Sequence, residues 1–152
     1  MTKILIGFFL LLQFTFAYNV PITGKWHDAS RILENGQETI EKSYLTLQPN
    51  GFFSLLILVS IKKGDAFIKD LRVEINGKWK AEGNALVYVV KNVNIPAAKE
   101  VYLINQRSLE TLARAFKNKY QNDSIHISKI KQLDAKNLMI ITEKGKKRHY
   151  KR

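Results

Sequence analysis

The chain has 152 residues, no cysteine and a net charge of +12 at neutral pH, from 25 Lys and Arg against 13 Asp and Glu. Without cysteine there is no disulfide to brace the fold and no thiol to carry a lipid anchor, so the hydrophobic core alone must hold the chain together. The length suits one domain with one such core.

Met1-Thr2-Lys3 gives a short positive start, Ile4 to Leu12 is an apolar run around Gly7, and Thr15-Phe16-Ala17 places small residues at the −3 and −1 positions of a cleavage site. This is the layout of a secretory signal peptide over residues 1–17. An uncleaved anchor is the alternative, but Ile4 to Ala17 is shorter than the ~20 apolar residues that cross a bilayer, and Gln13 and Thr15 interrupt it. Cleavage leaves 135 residues, 18–152, as a single domain in an extracytoplasmic space, periplasmic or secreted.

After the leader, turn sequences recur at short intervals: Asn35-Gly36, Pro49-Asn50-Gly51, Lys63-Gly64-Asp65, Glu82-Gly83-Asn84, Asp134 to Asn137 and Lys144-Gly145-Lys146. The segments between them are strand-length and rich in β-branched and aromatic residues. From Leu71 to Glu82 apolar and polar residues alternate strictly, the period of a strand with one wet and one dry face. Eight strands are expected, at 23–33, 39–48, 52–61, 69–82, 85–94, 124–133, 137–143 and 146–151. The apolar run Phe52 to Val59 predicts a strand covered on both faces, by a cavity and a helix or by a dense core. Consecutive strands joined by tight turns form an antiparallel meander, and closing it into an up-and-down barrel removes its exposed edges. The interior of such a barrel is either filled by side chains or just wide enough for one small ligand.

One stretch breaks this rhythm. From Ser108 as N-cap, Leu109, Leu112, Ala113, Phe116 and Tyr120 recur at helical spacing, with Glu110, Arg114, Lys117 and Lys119 around them. The expected helix has about three turns, and its apolar stripe packs on the barrel wall or plugs an end; lying on a membrane is the alternative. Residues 95–107 read as either an extra strand or a loop.

Gly24-Lys25-Trp26, the hairpin Leu47 to Phe53, the second Gly-x-Trp strand Gly77-Lys78-Trp79 with its hairpin, and the final pair from Leu138 to Arg152 follow one another in an order that resembles the bacterial lipocalin-like small domains. The resemblance spans nearly all of 18–152. It implies a barrel closed at one end by Trp26, with Arg148 or Arg152 beside it and Trp79 on the inward face, and a cavity for a small apolar molecule. The chain departs from lipocalins proper in lacking a Thr-Asp-Tyr motif and in placing its helix before the last strands.

No catalytic constellation is evident: His-Glu-x-x-His, Gly-x-Ser-x-Gly and Ser-x-x-Lys are absent. His27, His126 and His149 stand apart, and His27-Asp28, adjacent on a strand, point to opposite faces. Neither enzyme activity nor a cofactor or metal is expected.

The charge is uneven. Ala113 to Arg152 holds twelve bases against three acids, whereas Tyr18 to Leu112 holds twelve against ten. The C-terminal run from Lys144 to Arg152 is the densest part, and as a strand it puts Lys147 and Lys151 on one side and Arg148, Tyr150 and Arg152 on the other. Lys144, Lys146, Lys147 and Lys151 are the candidates for docking on an anionic lipid or polysaccharide surface or on an acidic protein; simple solubility is the plainer reading. No nucleic-acid recognition motif is present. Two functions follow as expectations: an exported, non-enzymatic binder of a small apolar ligand, or a basic interaction module with a filled barrel. N-terminal sequencing of exported protein is expected to begin Tyr18-Asn19-Val20, and a retained Met1 or Thr2 would refute the processing.

Overall fold

The computed structural model describes residues 20–152; the expected leader lies outside the described residues. Nine strands and one helix follow in order: β1 Gly24–Glu34, β2 Gln37–Leu47, β3 Phe52–Lys63, β4 Ala66–Glu82, β5 Ala85–Asn94, β6 Glu100–Tyr102, α1 Gln106–Gln121, β7 Ile125–Leu133, β8 Asn137–Thr142 and β9 Lys147–Lys151. Eight of the strands close into an antiparallel barrel in the order β1-β2-β3-β4-β5-β7-β8-β9 and back to β1, with β6 added beside β4. The segment left open between strand and loop is therefore both, a three-residue strand set in loop.

Each expected turn joins two neighbouring strands. At Asn35-Gly36 both residues have positive φ (51° and 72°), so Glu34 pairs with Gln37 across a two-residue hairpin of the twist that flanking strands favour. At Asp134 the carboxylate accepts from the backbone N–H of Lys136, from the side-chain amides of Gln132 and Asn137 and from the backbone N–H of Asn137, and these bonds lower its pKa to about 2.

Strict alternation would not close the barrel, and bulges supply the bends. Ile68 and Leu71 are both buried although three positions apart, because Asp70, at φ 49°, is the extra residue of a bulge opposite Ser60. Its backbone N–H donates to Ser60 Oγ. A second bulge turns both Val90 and Val93 inward, opposite Asn76 and Gly77. Gly77 is compelled there: a Cβ at this position would lie 2.0 Å from the Val89 carbonyl oxygen.

One barrel end is closed by Trp26, 2% exposed, whose indole N–H donates to the Ile22 carbonyl. The guanidinium of Arg152 lies 4.2 Å from the Trp26 ring centroid and donates to the Pro21 and Thr23 carbonyls. Of the two arginines anticipated beside Trp26, the structure places Arg152 there, while Arg148 lies higher in the interior. Trp79 is only partly buried; it packs on the core edge and donates its indole N–H to the Gln48 carbonyl.

The helix differs from expectation at its start. Its N-cap is Asn105, whose side chain accepts from the Ser108 N–H, so Ser108 lies inside the first turn and the helix runs for sixteen residues. Asn and Ser cap about equally well, and Asn105 starts the helix one turn earlier. Leu109, Leu112, Phe116 and Tyr120 pack against the core from one barrel end.

Burial of Trp26 makes Trp26→Ala costly, by about 3–5 kcal/mol, whereas the half-exposed Trp79→Ala is expected to shift the melting temperature less. Gly77→Ala forces a clash with backbone, and overpacking of this kind costs roughly 1–3 kcal/mol or more. Thermal melts of the three variants check the ranking, which fails if Gly77→Ala melts like the parent.

Candidate functional site

On β1 and β2 the inward residues are apolar at the Trp26 end and polar towards the other, Asp28 and Ser30 following Trp26, and Ser43 and Glu41 preceding Leu45 and Leu47, whereas on β3 and β4 they stay apolar. Leu45, Phe53, Leu55, Ile57, Ile75 and Val90 line a cavity of about 200 Å³ inside the barrel, and Ser43, Tyr88, Ser128, Arg148 and Tyr150 face the same space. Its mouth is bordered by Glu41, by Lys119 and Tyr120 from the end of α1, by His126, by Thr142 at the end of β8, and by Glu143, Lys144 and Lys146 of the β8–β9 connection. The helix thus partly covers the opening that the strands leave.

Arg148 dominates the polar wall. Its side chain is 10% exposed, and Asp28 and Glu41, at 12% and 19%, face it. Nη1 donates to Glu41 Oε1 at 2.7 Å and Nη2 donates to Ser43 Oγ. Nε lies 2.8 Å from Asp28 Oδ2 as an ion pair whose angle is too poor for a directed hydrogen bond. These partners come from β1 and β2 while Arg148 comes from β9, so the network spans the seam at which the barrel closes. The backbone there is thin: β1 and β9 register only through His27 and Lys151.

Burial alone would raise the pKa of Glu41, but the Arg148 hydrogen bond and charge, helped by Lys146 and Lys119, outweigh it and the net shift is downward. Burial pushes up Tyr88, Tyr120 and Tyr150, and their hydroxyls remain protonated at neutral pH. Lys119 shifts down, through loss of solvent and then through the charges of Lys146, Lys144 and Arg148, against the opposing pull of Glu41. His126 lies against Tyr120, with ring centroids 5.9 Å apart, and its Nδ1 is 3.8 Å from Glu143. Its Nε2 is buried and has no hydrogen-bond partner among the described residues.

The C-terminal bases divide by parity. Arg148 and Tyr150 point inward, and Lys147 and Lys151 point outward together with His149. Lys144 and Lys146 sit on the rim, so the four lysines singled out for surface docking do not share one face. His27 is exposed while Asp28 turns in towards Arg148, and His149 Nε2 lies 3.2 Å from Asn137 Oδ1. Among the described residues no group of three or more His, Cys, Asp or Glu converges as a cation cage.

Sequence reasoning passed over Asp28, Glu41 and His126 as members of one site. The signal was present in their parity: Asp28 shares the inward side of its strand with Trp26, Glu41 with Leu45 and Leu47, and His126 with Ile130, where an unpartnered charge is disfavoured. The eight-stranded antiparallel barrel with one short helix is consistent with a lipocalin-like fold. No protein-family model matches the chain, and no curated protein matches it.

Arg148→Met strands Asp28 and Glu41 inside the barrel, and breaking a buried pair in this way costs about 3–5 kcal/mol. Adding Asp28→Asn and Glu41→Gln to the same chain is expected to recover part of that loss. A pH series supplies the sign: with its pKa lowered in the fold, Glu41 contributes stability above its unfolded value near 4.5 that is lost as pH falls through the folded value. Denaturant melts should show a shallower acid dependence for Glu41→Gln than for the parent, and equal slopes would refute the role given to Glu41.

Proposed function

We propose that the chain is an exported, non-enzymatic binding protein of lipocalin-like type that holds a small apolar ligand in its barrel. The observation that carries this reading is the cavity itself. A barrel of eight strands can fill its interior with side chains, and this one instead leaves about 200 Å³ bounded by Leu45, Phe53, Leu55 and Ile57 and open at one end. A concave apolar space with a few polar groups at defined positions is the usual form of a small-molecule site. Export rests on the signal-peptide layout of residues 1–17, and the Trp26–Arg152 closure supports the lipocalin-like reading.

A second reading has its own support. The outer surface of β7, β8 and β9 carries exposed Lys129, Lys147 and Lys151, and Ile125 and Ile127 on the same side of β7 are 54% and 50% exposed. Basic residues flanking exposed apolar ones suit an anionic lipid surface, where each base near the surface contributes about 1 kcal/mol.

Leu55→Trp fills the cavity from a position that is only partly buried, and it is expected to abolish binding of an apolar fluorophore such as 1-anilinonaphthalene while leaving the melting temperature within a few degrees. Parent protein that fails to bind the fluorophore would overturn the cavity reading. Salt-sensitive sedimentation with anionic vesicles, weakened by Lys147→Gln with Lys151→Gln, would then favour the second.

A further inference from the structure

Three cations meet at the cavity mouth from two separate parts of the chain: Lys119 from the last turn of α1, and Lys144 and Lys146 from the β8–β9 connection. None of the three makes a salt bridge among the described residues. Of the acids that border the same opening, Glu41 is paired with Arg148, while Glu143 stands 3.8 Å from His126 Nδ1, beyond hydrogen-bonding distance. All three border the same opening, together with Glu41 and Glu143. Just inside, the buried Nε2 of His126 has no hydrogen-bond partner among the described residues, and in the tautomer that carries its proton there it is a donor. A buried polar atom left unsatisfied is costly, and a ligand group that pairs with it removes that cost. Below this collar Leu45, Phe53, Leu55 and Ile57 supply an apolar wall beside the polar one that Arg148 dominates.

We infer that the ligand is a single-chain amphiphile whose oxyanion head, a carboxylate or a phosphate, sits among Lys119, Lys144, Lys146 and His126, with its chain between Leu45, Leu55 and Ile57. The inference rests on the cavity reading above and narrows it to a chemical class. A cationic head meets like charge at the rim. A wholly apolar ligand leaves His126 Nε2 unpaired and the three lysines without a counter-ion. Cavity volume sets the shape: about 200 Å³ lies below the ~300–1,000 Å³ of typical drug-sized sites, which fits one narrow chain and excludes two-chain lipids. Charge-assisted hydrogen bonds from ammonium groups to carboxylate or phosphate are about twice as strong as neutral ones, so the rim discriminates by head while the interior discriminates by chain.

Calorimetric titration of the protein, residues 18–152, with decanoate, decanol, decyl phosphate and decyltrimethylammonium at low ionic strength tests this. Decanoate or decyl phosphate is expected to bind roughly tenfold or more tighter than decanol, the size of effect that one hydrogen bond to a charged group supplies, and decyltrimethylammonium more weakly than decanol. Whichever anion binds tighter identifies the head. In the Lys119→Gln, Lys144→Gln, Lys146→Gln variant the anion should fall to the affinity of decanol while decanol itself is unchanged, and added salt should have the same effect on the parent. Equal binding of decanoate, decyl phosphate and decanol to the parent, or undiminished anion binding by the triple variant, would overturn the inference and leave the cavity reading standing. Binding of none of the four probes would overturn both.

Discussion

The barrel closes across its thinnest ladder, and the interior charge of Arg148 is what spans it. Between β1 and β2 eleven residue pairs are in register, whereas β1 and β9 share only His27 with Lys151. Side chains make up the difference: Arg148 reaches Asp28 on β1 and Glu41 and Ser43 on β2, and Arg152 ties the chain before β1 to Trp26. A buried ion pair need not add net stability, because removing the charges from water offsets much of their attraction. It does specify register. A one-residue slip of β9 would turn Arg148 outward and Lys147 inward, leaving two carboxylates unpaired in the barrel.

That same arrangement explains why the interior is not filled throughout. Around Trp26, Leu47, Leu86 and Leu138 the packing is complete, each side chain being almost fully buried. Further up, the space is shared with an arginine, its two acids and three tyrosines, groups that require hydrogen-bond partners as well as contact. The apolar residues at this level, Leu55 and Tyr88 among them, remain only partly covered. The closed end supplies the core on which the cysteine-free chain depends, and the open end supplies room.

Parity also separates two uses of positive charge that look alike in sequence. In the run from Lys144 to Arg152, alternate residues take opposite sides of β9. Arg148 is consumed by structure, Lys144 and Lys146 border the cavity, and Lys147 and Lys151 face outward. A single basic tract therefore serves the seam, the mouth and the outer wall, and a ligand at the mouth and a surface on the outer wall draw on different lysines.

Much of this architecture was legible in the residues themselves. Turn sequences such as Asn35-Gly36 and Glu82-Gly83-Asn84 encode backbone conformations locally, and period-two alternation in Leu71 to Glu82 encodes which side of a strand is dry, so strand order, approximate bounds and barrel class followed. The helix was legible as a helix, but its start was not, since Asn105 and Ser108 are both capable caps and only the path of the chain from β6 selects the first. What the tertiary structure alone decided were the relations between residues distant in sequence. Whether Arg148 or Arg152 meets Trp26, whether Asp28, Glu41 and Ser43 converge on one guanidinium, and whether a space remains inside all depend on the stagger with which the last strand meets the first. That stagger is set by bulges at Asp70, at Gly77 and in β7, and it accumulates around the whole barrel. No local pattern records the sum.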